Sequence, residues 1–295
     1  MIRKSLIFAL LLLAGYSVFV ERFAPSDWQA SQHQWQENLI KAQRYVYSGA
    51  PPSAKMIVGS SLAQRLVMEE LPGFANLSLG GQSIYDGLSI LTHQSQFPRT
   101  AYIEMNMMLR EETLEFTEAL NSPVMYYPRK WLLSLREDRQ PLGVLGSRFN
   151  KGVTEEVIPW LKSKVRAGAP VADAGAAADL FPRLLEAQRE VYAKTPGKDL
   201  LETRFRSLEG YVRKLQGKGV AIVFFEMPVN SSLMHLPQAE TIRAAFRQHF
   251  PEPAFRYIEP PADDEFRTVD GVHLSPEEAL RYTGYFQSKA NALAP

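Results

Sequence analysis

Short, continuous apolar runs constrain the architecture of this chain more than any other feature. They lie at residues 56–58, 74–79, 101–103 and 221–225, with a weaker one at 255–258. Those at 56–58, 101–103 and 221–225 are unbroken, and predominantly continuous apolarity reads as strands buried on both faces, as in a parallel sheet. Helical spacing fills the intervals at 62–70, 84–94, 200–215, 239–249 and 276–291. Strands alternating with helices predict an α/β fold, a three-layer α/β/α sandwich around a parallel sheet. Ligands of such sheets bind at the carboxyl ends of the strands. The residues directly after each apolar run are therefore the candidates for chemistry.

Composition narrows the chemistry. Apolar residues make up 45% of the chain and charged ones 22%, enough for a core and unlike a disordered segment. Lys and Arg number 33 against 32 Asp and Glu, so no basic excess points to nucleic acid. Cysteine is absent, which excludes disulfides, thiolate metal sites and a Cys nucleophile. His33, His93, His235 and His249 show no metal-ligand spacing and read as surface or packing residues. Neither a metal nor a cofactor is expected. The acidic run 263–265 reads as a solvated loop.

At the N-terminus, Arg3 and Lys4 precede an uncharged run, 5–20, that ends at Glu21 and Arg22. As a helix it would span roughly 24 Å, slightly less than a hydrocarbon core of about 30 Å. No small-x-small cleavage site stands near its end, so it reads as a retained anchor; a cleaved signal peptide and a buried helix are the alternatives. Basic residues on its N-terminal side place the rest of the chain outside the cytoplasm. The expected organisation is an anchor at 1–24 and an extracytoplasmic domain at 25–295. Residues 28–47, with Ser26 or Asp27 as N-cap, read as a further helix that packs on the domain. The stretch 107–219 is too long for a simple crossover and reads as a largely helical insertion. It holds an aromatic, basic segment at 125–131 and an Ala/Gly-rich linker at 168–178.

The strand ends carry a pattern. The first run leads into Gly59-Ser60-Ser61, the second into Gly80-Gly81-Gln82-Ser83, and the third into Glu104-Met105-Asn106. Asp270-Gly271-Val272-His273-Leu274-Ser275 precedes the last helical stretch. Singly, each is an ordinary turn or cap. In this order and at these places, they resemble the blocks of the SGNH (GDSL) hydrolase superfamily. The resemblance covers about 55–106 and about 221 to the C-terminus, and Asp-x-x-His before Leu-Ser-Pro is its most specific part. It implies Ser61 as nucleophile, Gly81 and Asn106 as oxyanion donors beside the Ser61 amide, and Asp270 and His273 as the other triad members. Ser60 stands where the commoner motif has Asp. Gly-Ser-Ser is more similar to the membrane-tethered branch, which includes proteins of alginate or cellulose O-acetylation and of teichoic-acid D-alanylation.

The residue chemistry agrees. A serine hydroxyl becomes nucleophilic when a base takes its proton. Imidazole suits that task near neutrality, and a carboxylate three residues earlier can fix its tautomer. Glycine allows close backbone approach, and Asn106 adds a side-chain donor for a developing oxyanion. Arg65, Glu104 and Arg267 are candidate substrate contacts; Glu104 and Glu226 also read as structural hydrogen-bonding acids at the active edge, with loop orientation or substrate binding as the other reading of each. The expected function is serine-mediated transfer of an acetyl group to hydroxyls of an exopolysaccharide or cell-envelope polymer. The resemblance implies a membrane-bound O-acyltransferase as partner, an inner-membrane anchor and a periplasmic catalytic domain. A carbohydrate or lipid esterase is the alternative, and a catalytically silent polymer-binding scaffold is a second.

Overall fold

The computed structural model describes residues 2–23, 34–47, 53–140, 180–261 and 266–293. Strands β1 (Lys55–Val58), β2 (Phe74–Asn76), β3 (Thr100–Glu104), β4 (Ala221–Phe225) and β5 (Arg256–Ile258) form one sheet. All its pairings are parallel, and the order is β2-β1-β3-β4-β5. That order is one of the two common ones for doubly wound sheets, whose crevice opens where the winding reverses, here between β1 and β3. All five expected strands form; β2 is the shortest relative to its apolar run, although beyond Asn76 the Leu77 and Leu79 amides still donate to the Ile57 and Gly59 carbonyls, at 2.8 and 3.1 Å.

The helices are α1 (Ile2–Phe23), α2 (Gln34–Tyr47), α3 (Ile84–Thr92), α4 (Leu114–Asn121), α5 (Pro123–Trp131), α6 (Leu180–Tyr192), α7 (Lys198–Gln216), α8 (Ser231–Met234), α9 (Pro237–His249) and α10 (Pro276–Ala292). Helix α3 starts in a capping box, with Ser83 and Asp86 satisfying each other's backbone amides. Ser275 caps α10, with Pro276 in its first turn. The helical spacing at 62–70 does not yield an α-helix. Two 3₁₀ turns, Ala63–Arg65 and Met68–Glu70, stand there, separated by extended backbone at Leu66 and Val67. Tertiary contacts explain this: Leu62, Ala63, Leu66 and Leu71 are all buried, and the Val67 amide donates to Thr283 Oγ1 on α10.

The chain divides into two compact units, 1–49 with 118–173, and 50–117 with 174–295. The first therefore holds α2, which groups with the apolar helix and part of the expected insertion. The whole sheet and every candidate site residue lie in the second. The Ser26/Asp27 cap, the linker at 168–178, the acidic run and His33 fall outside the described residues. The aromatic, basic segment is α5, with Pro128 inside the helix instead of in its first turn.

The core of the second unit is aromatic. Phe286 of α10 is fully buried and packs edge-on against Tyr102 of β3 and Phe225 of β4, at ring centroid distances of 5.5 and 5.1 Å. Replacing Phe286 with Ala should cost about 3–5 kcal/mol of stability, measured by denaturant unfolding.

Candidate active site

The site is built from the end of β1 outward. Gly59 leaves no room for a side chain, because an added Cβ would lie 2.6 Å from both Ala63 Cβ and Glu104 Oε2. This closeness lets the Glu104 carboxylate, fully buried at the end of β3, reach under the turn. Glu104 Oε2 accepts from the Ser60 amide at 2.8 Å and the Ala63 amide at 3.2 Å. The Ser60 hydroxyl donates to the same carboxylate at 2.8 Å. Burial pushes the Glu104 carboxyl above its usual range, while the bonds from Ser60 and Ala63 pull against that shift. Side chains at 60 and 61 diverge: Ser60 turns into the core, and Ser61 is left partly exposed.

Ser61 Oγ lies 2.8 Å from His273 Nε2. His273 Nδ1 lies 2.7 Å from Asp270 Oδ2. The other Asp270 oxygen accepts the His273 and Val272 amides, at 2.8 and 3.1 Å. A short antiparallel bridge pairs Thr268 with Leu274 and closes the loop that carries both residues. The Asn230 amide ties the loop down by donating to the Gly271 carbonyl at 2.8 Å. Burial raises the Asp270 carboxyl, but the hydrogen bonds from His273 and Val272 outweigh it and leave the group below its ordinary value.

Gly81 has φ 72°, in the left-handed region that favours glycine, within a turn closed by the Gln82 amide on the Leu79 carbonyl. Asn106 follows β3 and clasps residue 227. Its amide nitrogen donates to the Met227 carbonyl at 2.9 Å, and its carbonyl accepts the Met227 amide at 2.8 Å. A primary amide has two N–H donors, so one remains beyond this clasp. The β4 end is pinned in turn. Glu226 accepts both Arg243 Nε and Arg243 Nη2 at 2.7 Å, and its carbonyl accepts the Tyr282 hydroxyl at 2.7 Å. Asn106, Glu226, Arg243 and Tyr192 border a cavity of about 10 Å³, room for one water and not for a substrate.

Ser61, Asp270 and His273 thus form one hydrogen-bonded chain, and Ser61 and Asn106 follow the two strands that flank the sheet's switch point. Of the candidate substrate contacts, Glu104 takes its structural alternative. Glu104 is enclosed and occupied by Ser60 and Ala63, so it braces the turn and cannot touch a substrate. Arg267 is largely exposed and pairs with Glu277 and Glu278 at the start of α10. Arg65 is exposed at the end of the first 3₁₀ turn. The clasp of Asn106 on Met227 and the Glu226–Arg243 pair escape sequence reasoning. Both join residues far apart in the chain, and the only hint is that Glu104 and Asn106 share a strand face. His249 pairs with Glu209, and His93 Nδ1 lies 2.7 Å from the Ser89 carbonyl.

No family model and no curated protein matches this chain.

The lowered Asp270 carboxyl has a stability consequence. Its folded value lies below the unfolded one, so its contribution is fully present above the ordinary value of about 3.9 and is lost as pH falls through the folded value. The native chain should be more stable than Asp270→Asn at neutral pH. The gap should close on acidification, as read by denaturant melts at a series of pH values.

Proposed function

We propose that the chain is a serine acyltransferase of the SGNH type, a three-layer α/β/α domain that carries an acetyl group on Ser61 and passes it to a polymer hydroxyl. The observation that carries this reading is the continuous hydrogen-bonded chain from Ser61 through His273 to Asp270. In the first half-reaction Ser61 Oγ attacks the carbonyl carbon of an acyl donor, and its proton passes to His273 Nε2. The bond to the leaving group breaks, and His273 returns the proton to that group. In the second half-reaction an acceptor hydroxyl attacks the acyl-serine and gives its proton to His273, which restores it to Ser61 Oγ. Asp270 holds the imidazole in the tautomer that presents a bare Nε2 and stabilises the imidazolium in each step. The Ser61 and Gly81 amides and the second Asn106 N–H are the donors assigned to the oxyanion.

Transfer is favoured over hydrolysis by the apolar helix α1. It is the one candidate span among the described residues, long and apolar enough to cross a membrane. In this reading α1 anchors the chain in the inner membrane with the catalytic unit in the periplasm. A membrane-bound O-acyltransferase delivers the acyl group, and an exopolysaccharide or cell-envelope polymer receives it. Tethering keeps Ser61 at high effective concentration near the donor's exit.

The test is to incubate the purified chain with an activated acetyl ester, with and without oligosaccharide, and to follow intact mass. Acetyl should accumulate on Ser61 and move to the sugar. Loss of acetyl to water alone would identify an esterase, and no acetylation would return the domain to a binding scaffold. Ser61→Ala should abolish the adduct while Ser60→Ala retains it.

Asn106→Ala should slow turnover by about 10²–10³-fold through loss of the oxyanion donor. It also frees the Met227 amide, so thermal unfolding must accompany the rate. A rate loss matched by unfolding would reduce Asn106 to the clasp on Met227.

A further inference from the structure

We infer that α5 is an interfacial helix, laid in the boundary between headgroups and acyl chains of the bilayer that α1 crosses. The inference rests on the reading of α1 as a membrane span. Its starting point is the division of faces on α5. Tyr126 turns inward, its ring 5.6 Å from that of Tyr47 on α2. Val124, Tyr127 and Trp131, at i, i+3 and i+7, share the opposite face. They are 77%, 60% and 75% exposed, and Leu132 beside them is 37% exposed. An apolar stripe with Tyr and Trp at this exposure is the composition that settles at a membrane–water boundary.

The occupant of that face follows from where α5 is attached. The chain leaves α5 directly into the 3₁₀ turn Leu133–Leu135. Ser134 in that turn is hydrogen-bonded to Ser17 of α1, oxygen to oxygen at 2.7 Å. The Tyr16 hydroxyl donates to the Arg139 carbonyl at 2.5 Å. Successive Cα atoms are 3.8 Å apart, so the Cα of Trp131 lies within about 11 Å of that of Ser134. Along α1, Ser17 stands about 20 Å from Lys4. Val20, the last residue of the uncharged run, is only about 4.5 Å further along the axis, and Glu21 and Arg22 follow it, so whatever is fastened to Ser17 sits near the end of the apolar span, at the level of the lipid boundary. The apolar face of α5 is therefore held close to the end of α1, through the turn that joins them.

Two details fix the depth as interfacial. Nine residues cannot span a bilayer. Pro128, inside α5, has no N–H to give the Val124 carbonyl, which needs a donor that hydrocarbon cannot supply and hydrated headgroups can. At the end of α5, Arg136 donates to the Arg129 and Lys130 carbonyls, closing that terminus within the protein.

The experiment uses the full chain reconstituted in phosphatidylcholine–phosphatidylglycerol vesicles. Trp28, Trp35 and Trp160 are replaced by Phe, leaving Trp131 as the reporter. Lipids brominated near the acyl carboxyl end should quench most of the Trp131 emission, lipids brominated deep in the chain should quench it less, and aqueous iodide should not quench it. As the chain has no cysteine, Tyr127→Cys carrying an environment-sensitive dye gives a second reading in the otherwise native protein, with an expected blue shift on reconstitution. Resistance to alkaline carbonate extraction reports on α1 separately. A chain that resists extraction while Trp131 stays open to iodide and blind to bromolipid would overturn the inference and leave the span intact. Such a face would belong to a protein partner. A chain released by carbonate would overturn the span and the inference with it.

Discussion

A buried carboxylate held by amides and a hydroxyl, with no basic side chain in hydrogen-bond contact among the described residues, organises the candidate site. Glu104 ends β3 in a fully buried position and is satisfied by the Ser60 amide, the Ser60 hydroxyl and the Ala63 amide. Taking a charge out of water is costly unless it is hydrogen-bonded, so the turn after β1 is held to the shape that supplies those donors. That shape requires glycine at 59, turns Ser60 inward and leaves Ser61 facing the crevice. A change at Glu104 would thus act on the placement of Ser61 from beneath the turn.

The opposite half of the site is held by a different device. Asp270 and His273 are three residues apart and organise each other through one carboxylate, which takes both amides and the ring nitrogen. The loop is therefore nearly formed by its own sequence. Its place against Ser61, 212 residues away in the chain, is set by the Thr268–Leu274 bridge, the bond from Asn230 to Gly271, and α10 packing on the sheet. Asn106 is placed by a third device, the two-way clasp on Met227 that ties the end of β3 to the end of β4. Three strand ends and one loop thus converge through separate, local restraints.

The unit that contains α1 follows other rules. Its helices are joined by polar contacts to short 3₁₀ turns, such as Gln43 Oε1 accepting the Glu137 amide at 2.7 Å. Its outer surfaces are apolar, from Leu6 to Leu12 on α1 and Val124 to Trp131 on α5. In water such surfaces would be a liability; against lipid they are the expected finish.

Much of the unit that holds the sheet was legible in the sequence because its signals are local. Apolar runs marked all five strands, and 3.6-residue spacing marked α3, α7, α9 and α10. Asp270 and His273 stood in one short motif. The 62–70 stretch misled because its apolar spacing serves two separate 3₁₀ turns, and the choice between them and a helix rests on α10, which is distant in sequence. Glu104 read as a substrate contact because its position at a strand end was visible, while its burial under Gly59 was not. The sequence by itself determined which residues form strands, where most of the helices around the sheet lie, and which side chains carry reactive groups, since these depend on neighbours a few positions away. Only the tertiary structure decided which reactive groups meet, which are sealed inside, and which apolar faces stay uncovered. Those outcomes depend on contacts between segments that have no sequence relation to one another.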